Sequence, residues 1–100
     1  MVLLGAMDDS PIALPIDGTL DLHAFLPSEV GSLVPEYLAA CRSRGILQVR
    51  IVHGKGTGAL RRTVHALLSK LTEVQSFRTA SEDAGGWGAT LVHLLPPSPG

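Results

Sequence analysis

Three glycines alternate with Lys55 and Thr57 between His53 and Gly58, and two arginines, Arg61 and Arg62, follow at once. Gln48–Gly54 reads as an apolar, β-branched strand. After the glycines, Leu60, Val64, Leu67, Leu68 and Leu71 recur at the spacing of an amphipathic helix. Strand, glycine loop and helix together make an anion site. Unpaired N–H groups at the helix start point at the ligand, the helix dipole favours negative charge, and glycines let oxygens approach the backbone. A helix start ordinarily prefers acidic side chains. Cations in its first turn cost about a few tenths of a kcal/mol unless an anion arrives. Gly54, Lys55, Gly56, Thr57, Gly58, Arg61 and Arg62 are therefore candidate phosphate-binding residues, although arginines that merely face solvent would need no ligand.

A second set of chemically capable residues lies upstream. Thr19–Phe25 alternates like a short strand, with Leu20 and Leu22 on one side and Asp21 and His23 on the other. His53 ends the next strand. In an open α/β sheet, ligands gather at the carboxyl ends of parallel strands. If these two strands are neighbours, Asp21, His23 and His53 converge on the glycine loop. That set could carry acid–base chemistry on a phosphodiester, or Asp21 could help to hold a metal ion.

Two common nucleotide loops do not fit. Gly-x-x-x-x-Gly-Lys-Ser/Thr is absent. Gly54, Gly56 and Ala59 satisfy a dinucleotide fingerprint, with acids later at Glu82 and Asp83, but the motif follows the second strand and leaves too little chain for a cofactor crevice.

Around these residues the elements alternate. Pro27 suits the first turn of a helix whose apolar face is Val30, Leu33, Val34, Tyr37, Leu38 and Cys41, with Gly45 as its stop. Pro35 costs roughly 3 kcal/mol inside a helix and predicts a kink or a broken first turn. Glu73–Ser81 reads as a third strand, Glu82–Gly88 as a turn and Ala89–Leu95 as a fourth strand. The expected fold is an α/β two-layer sandwich in βαβαββ order: a four-stranded mixed sheet with two main helices. Its strand–helix–strand units favour parallel pairing, and its last two strands are close enough for a hairpin. Residues 1–16 read as a lead-in, 17–95 as the domain and 96–100 as a disordered tail. His65 reads as a surface side chain, His93 as a core or edge histidine and Cys41 as a small hydrophobe. Trp87, among the glycines of the turn, suits either stacking on an unpaired base or capping the core.

One hundred residues suffice for one domain. A lone cysteine excludes an internal disulfide framework. No apolar run approaches the roughly 18 residues of a membrane span, and the apolar start lacks a basic region typical of a signal peptide. A cytoplasmic location is the default expectation. The net charge of −1 argues against indiscriminate nucleic-acid binding, but the charge is unevenly spread. Residues 1–40 hold six acids and no Lys or Arg, whereas all eight basic side chains lie in residues 41–100. One face able to recruit a polyanion is compatible with that asymmetry.

Leu20–Ala24 (LDLHA), Val52–Arg61 (VHGKGTGALR) and Gly85–Leu94 (GGWGATLVHL) resemble, in the right order, the signature motifs of the Smr, or small MutS-related, domain family. The resemblance covers about Asp17 to Leu95. It implies an α/β sandwich that binds nucleic acid, in a family where several members nick DNA or cleave RNA. It implicates Asp21 and His23 in cleavage, and His53, Gly54, Lys55, Gly56 and Gly58 in holding the backbone. The implied partner is DNA or RNA, and the alternative reading is a non-catalytic module that binds nucleic acid or the ribosome. Cleavage of RNA through its own 2′-hydroxyl would need two histidines alone. Nicking of DNA by water favours a divalent cation such as magnesium or manganese, with Asp21 as a ligand. One position departs from the family: Ala24 stands where glycine is usual. A left-handed conformation there, or very close passage of a backbone, would be impeded by its methyl group.

Overall fold

The computed structural model describes residues 2–4, 12–54, 58–80 and 88–97, with side chains from residue 15 onward. Lys55, Gly56, Thr57, Glu82, Asp83 and Trp87 lie outside the described residues. The elements are strands β1 (Val2–Leu4), β2 (Ile12–Leu14) and β3 (Thr19–Asp21), helix α1 (Val30–Ser43), strand β4 (Gln48–Val52), helix α2 (Ala59–Lys70), and strands β5 (Val74–Thr79) and β6 (Ala89–Leu94). β3 to β6 form a four-stranded mixed sheet, as the sequence predicts. β1 and β2, within the stretch read as a lead-in, pair antiparallel as a separate two-stranded sheet.

The sheet order is β3-β4-β6-β5. β3 runs parallel to β4, placing Asp21 opposite Val52, and β6 is antiparallel to both β4 and β5. The expected hairpin-like pairing of the last two strands is present. The second strand–helix–strand unit differs from expectation: β6 sits between β4 and β5, so those two are not neighbours. The side chains explain the order. β6 is buried along nearly its whole length, which suits an interior strand. β5 exposes Gln75, Ser76, Arg78 and Thr79, and such polar side chains suit an edge.

Both helices pack on one face of the sheet. Leu20, Val49, Ile51 and Val92 meet Leu33, Val34, Leu38 and Cys41 of α1, and Val64 and Leu68 of α2, in one apolar cluster. A smaller cluster of Ala80, Ala89 and Leu91, with Val52 against it, marks the opposite face. α1 is α-helical without interruption through Pro35, and the irregular turn falls earlier, as a 3₁₀ turn over Pro27–Glu29. Its end follows the expected glycine. Gly45 takes φ 78°, its N–H bonds the Arg42 carbonyl at 3.0 Å, and the Ile46 N–H bonds the Cys41 carbonyl at 2.9 Å. This double closure satisfies carbonyls that the helix end would otherwise leave open. Arg42 also reaches the carbonyls of Leu95 and Pro96 at 2.7 and 3.1 Å, so the start of the C-terminal stretch is tied to α1.

Tyr37 fixes the approach to β3. Its hydroxyl accepts the Gly18 N–H and donates to the Thr19 carbonyl, both at 3.1 Å. Burial and neighbouring negative charge push its ionisation up to about 12, so the donor persists across the neutral range. Cys41 is a fully buried free thiol, its ionisation also pushed up by burial. Among the described residues no helix is long and apolar enough to cross a membrane.

Candidate nucleic-acid interface

β3 is shorter than the sequence pattern predicts. It ends at Asp21, and Leu22–Ala24 form a 3₁₀ turn. The cause is local. Asp21 Oδ1 accepts the His23 backbone N–H at 2.9 Å, so the carboxylate captures a donor that would otherwise extend the strand. The same oxygen lies 2.8 Å from His23 Nδ1. Leu22 still turns inward, while Asp21 and His23 stay exposed. Since a carboxylate accepts only, Nδ1 carries a proton and the neutral ring keeps its lone pair on Nε2. Ala24 lies in a right-handed turn, so the alanine incurs no left-handed strain.

Nε2 of His23 faces the glycine loop. Gly54 has φ 82°, and a Cβ placed there would come within 2.6 Å of His23 Nε2. Gly54 is therefore required twice: for its left-handed backbone and for the close approach of the imidazole. Gly58 repeats the left-handed conformation, φ 85°, directly before α2. A Cβ there would lie 3.6 Å from a guanidinium nitrogen of Arg61 and 3.5 Å from one of Arg62. α2 has no acidic residue in its first turn, so both arginines reinforce the positive end of the helix.

His53 occupies a different environment from His23. It is 4% exposed. Its Nδ1 lies 3.2 Å from the Gly54 carbonyl and its Nε2 2.8 Å from Thr90 Oγ1. The Gly54 carbonyl can only accept, so Nδ1 holds the proton and Thr90 donates to Nε2. Thr90 also lies 2.9 Å from His65 Nε2, and its single hydroxyl proton is already committed, so His65 is the donor. A directional chain thus runs from His65 through Thr90 and His53 to the Gly54 carbonyl. Gly88 closes the loop from the other side, its carbonyl accepting the His53 and Gly54 N–H groups at 2.8 and 2.9 Å. Asp21, His23, His53, Gly54, Gly58 and Arg61 are therefore brought together as expected. His53 could transfer a proton only by giving up one of its two ring contacts.

The sequence reading missed Thr90, Gly88 and the part taken by His65. His65 is half-buried rather than a surface side chain, packed 5.0 Å from the Phe77 ring. A threonine within an apolar strand was the available signal, because a buried hydroxyl needs a partner. His93 is half-buried on β6, in agreement with a core or edge histidine. Beside the loop lies an open cleft of about 350 Å³. His53, Gly54, Gly58 and Arg61 contribute to it, together with Pro27, Ala59, Leu60 and Thr63.

Among the described residues no group of three or more His, Cys, Asp or Glu side chains is placed to hold a metal. One oxygen of Asp21 is already committed to His23.

The arrangement coincides with a known family. The chain belongs to the Smr domain family, whose model matches residues 20–95. Its curated relatives include Endonuclease MutS2 of Halothermothrix orenii, 38% identical over 79 residues, and that of Pediococcus pentosaceus, 41% identical over 76. These alignments cover 79% and 76% of this chain but 10% of each relative, so the chain spans about a tenth of their length. Among solved structures it resembles the Smr domain of Thermus thermophilus MutS2, at TM-score 0.75 and 36% identity over 80% of this chain and 100% of that one. It also resembles YdaL, a stand-alone small MutS-related protein from Escherichia coli, at TM-score 0.73 and 29% identity, covering 80% of this chain and 66% of that one.

Two predictions follow from this geometry. In Gly54→Ala the exposed His23 ring swings away from the new methyl group, so most of the stability cost is the left-handed backbone, about 1–2 kcal/mol. Urea unfolding measures that cost, and the displaced His23 ring resonances report the movement. The second prediction concerns pH. Burial holds both His53 and His65 below the usual histidine range, assisted by nearby positive charge. A lowered folded-state value means that the unfolded chain takes up protons first. The stabilisation is complete above the unfolded value of about 6.5 and is lost as pH falls through the lower folded values. His65→Gln keeps an amide donor for Thr90 but does not titrate. Its unfolding free energy should fall less steeply than wild type between about pH 6.5 and 5.

Proposed function

We propose that this chain binds a nucleic-acid backbone at the glycine loop and cleaves a phosphodiester there, with His23 as the proton carrier. The observation that carries this reading is the approach of His23 Nε2 to Gly54 while Nδ1 is held by Asp21. The relatives named as endonucleases support it, as far as their Smr segment extends. A phosphate seated on the amides that open α2, beside Arg61 and Arg62, would lie next to an imidazole already in its proton-accepting tautomer. His23 Nε2 then removes the proton of the nucleophile, and the loop and guanidinium groups stabilise charge growing on the phosphate oxygens.

On RNA the nucleophile is the neighbouring 2′-hydroxyl. Its oxygen bonds to phosphorus, the bond from phosphorus to the 5′-oxygen breaks, and that oxygen takes a proton from solvent. The products are a cyclic 2′,3′-phosphate and a free 5′-hydroxyl. On DNA the nucleophile is water: His23 takes its proton, its oxygen bonds to phosphorus, one ester bond from phosphorus to a sugar oxygen breaks, and that oxygen takes a proton from solvent. In this reading Asp21 fixes the tautomer of His23, while His53 and Thr90 keep the loop in shape.

The test is cleavage of end-labelled single-stranded RNA, single-stranded DNA and supercoiled plasmid, each with magnesium, manganese or EDTA. His23→Ala should lose at least about 100-fold in rate, the scale of general acid–base catalysis. Its binding, weakened by salt in proportion to the phosphates contacted, should persist. Equal cleavage by wild type and His23→Ala would overturn the catalytic assignment. Salt-sensitive binding with no cleavage by wild type would establish a binding module instead.

A further inference from the structure

We infer that the cleft beside the glycine loop is a subsite for one unpaired nucleobase, so that the favoured substrate is single-stranded, gapped or frayed at the bound phosphate. The inference rests on the phosphodiester-binding reading above and adds what the neighbouring surface would recognise.

The cleft, at about 350 Å³, is in the size range that encloses a small organic group. Its lining joins two chemistries. Gly54, Gly58 and Arg61 belong to the phosphate-binding surface, whereas Pro27, Ala59 and Leu60 are apolar. Pro27 and Ala59 are exposed and Leu60 is half-buried, so apolar surface stays open to water beside an anion-binding surface. Leu26, 53% exposed, precedes Pro27 and extends the apolar surface along the chain. Among the described residues the lining carries no acidic side chain, which suits a nucleotide.

A nucleotide matches this division. Its phosphate is an anion and its base is flat, largely apolar on its faces and polar at its edge. Thr63 supplies a contact for that edge: its hydroxyl donates to the Ala59 carbonyl at 3.1 Å, leaving oxygen lone pairs to accept from an amino group. The position is also suitable. Gly54 lines the cleft and is the residue that His23 Nε2 approaches, so a phosphate at the loop would carry its own sugar and base towards Pro27 and Leu60. A base stacked and paired in a duplex cannot enter such a cleft without leaving the helix, which costs binding energy that an unpaired base does not lose.

The test is fluorescence-polarisation binding by the full chain at one fixed salt concentration. Three probes of equal length are used: an intact single strand, a strand of abasic sugars with the same phosphates, and the duplex. The intact strand should bind roughly tenfold tighter than the abasic strand, the scale expected for burying part of one base on apolar surface. It should also bind tighter than the duplex. Pro27→Ser and Leu60→Ser, each checked for folding by circular dichroism, should narrow the difference between intact and abasic strands while leaving abasic binding unchanged. If Leu60→Ser does not fold, the wild-type comparison still decides. Equal, salt-sensitive binding of intact and abasic strands by wild type would overturn the base subsite and leave the phosphate site standing. Tighter binding of the duplex would overturn it too. Failure of all three probes to bind would remove the phosphate reading on which it rests.

Discussion

The parallel pairing of β3 on β4 governs everything at the site. It sets Asp21 opposite Val52, so the two strands finish at the same end of the sheet. The chain leaving β3 makes the turn that carries His23, and the chain leaving β4 becomes the glycine loop. An antiparallel pair would have sent these ends apart. The pairing is held by burial of Leu20 and Ile51, which face each other in register, and by Tyr37, whose hydroxyl bonds the backbone of Gly18 and Thr19 where β3 begins. A one-residue slip would turn Leu20 to solvent and Asp21 into the core, a change that the cost of burying a carboxylate forbids.

The third motif acts through β6. Its position between β4 and β5 brings the Gly88 carbonyl to the loop amides and the Thr90 hydroxyl under His53. The two histidines of the cradle are therefore specialised by environment. His23 is exposed and needs only Asp21 to fix its tautomer. His53 is enclosed, and its two hydrogen bonds make it part of the wall. Protonating it would reverse the chain, because His53 Nε2 would donate to Thr90 and the Thr90 hydroxyl would have to turn to His65 Nε2 as its acceptor. That difference leaves His53 as an enclosed part of the wall and His23 as the histidine open to solvent.

Much of this was legible in the sequence because local rules and global packing agree. Gly45 marked the end of α1, the alternation of Leu20 and Leu22 marked the buried side of β3, and the apolar run of Gln48–Gly54 marked a central strand, which the structure ends at Val52. The convergence of Asp21, His23, His53 and Gly54 followed once the first two strands were neighbours. What the pattern hid depends on competition. Asp21 ends β3 early because its side chain captures a nearby N–H, an outcome that periodicity does not register. The insertion of β6 between β4 and β5 was implicit in the polar character of β5, but it is decided by long-range pairing. His65 looked like surface because its helical neighbours are small or polar in one direction. Only the sheet beneath it supplies Thr90.

The central claim is that a nucleic-acid phosphate sits between His23 Nε2 and the start of α2. The most direct measurement is a two-dimensional amide and imidazole NMR titration with a short oligonucleotide whose phosphodiesters resist cleavage. The account predicts that the largest shifts fall on the amides of Gly54, Gly58 and Ala59 and on the His23 ring, and that they diminish together as salt is raised. Shifts centred on the opposite face of the sheet, around Arg78 and His93, with Gly54 and His23 unmoved, would contradict it.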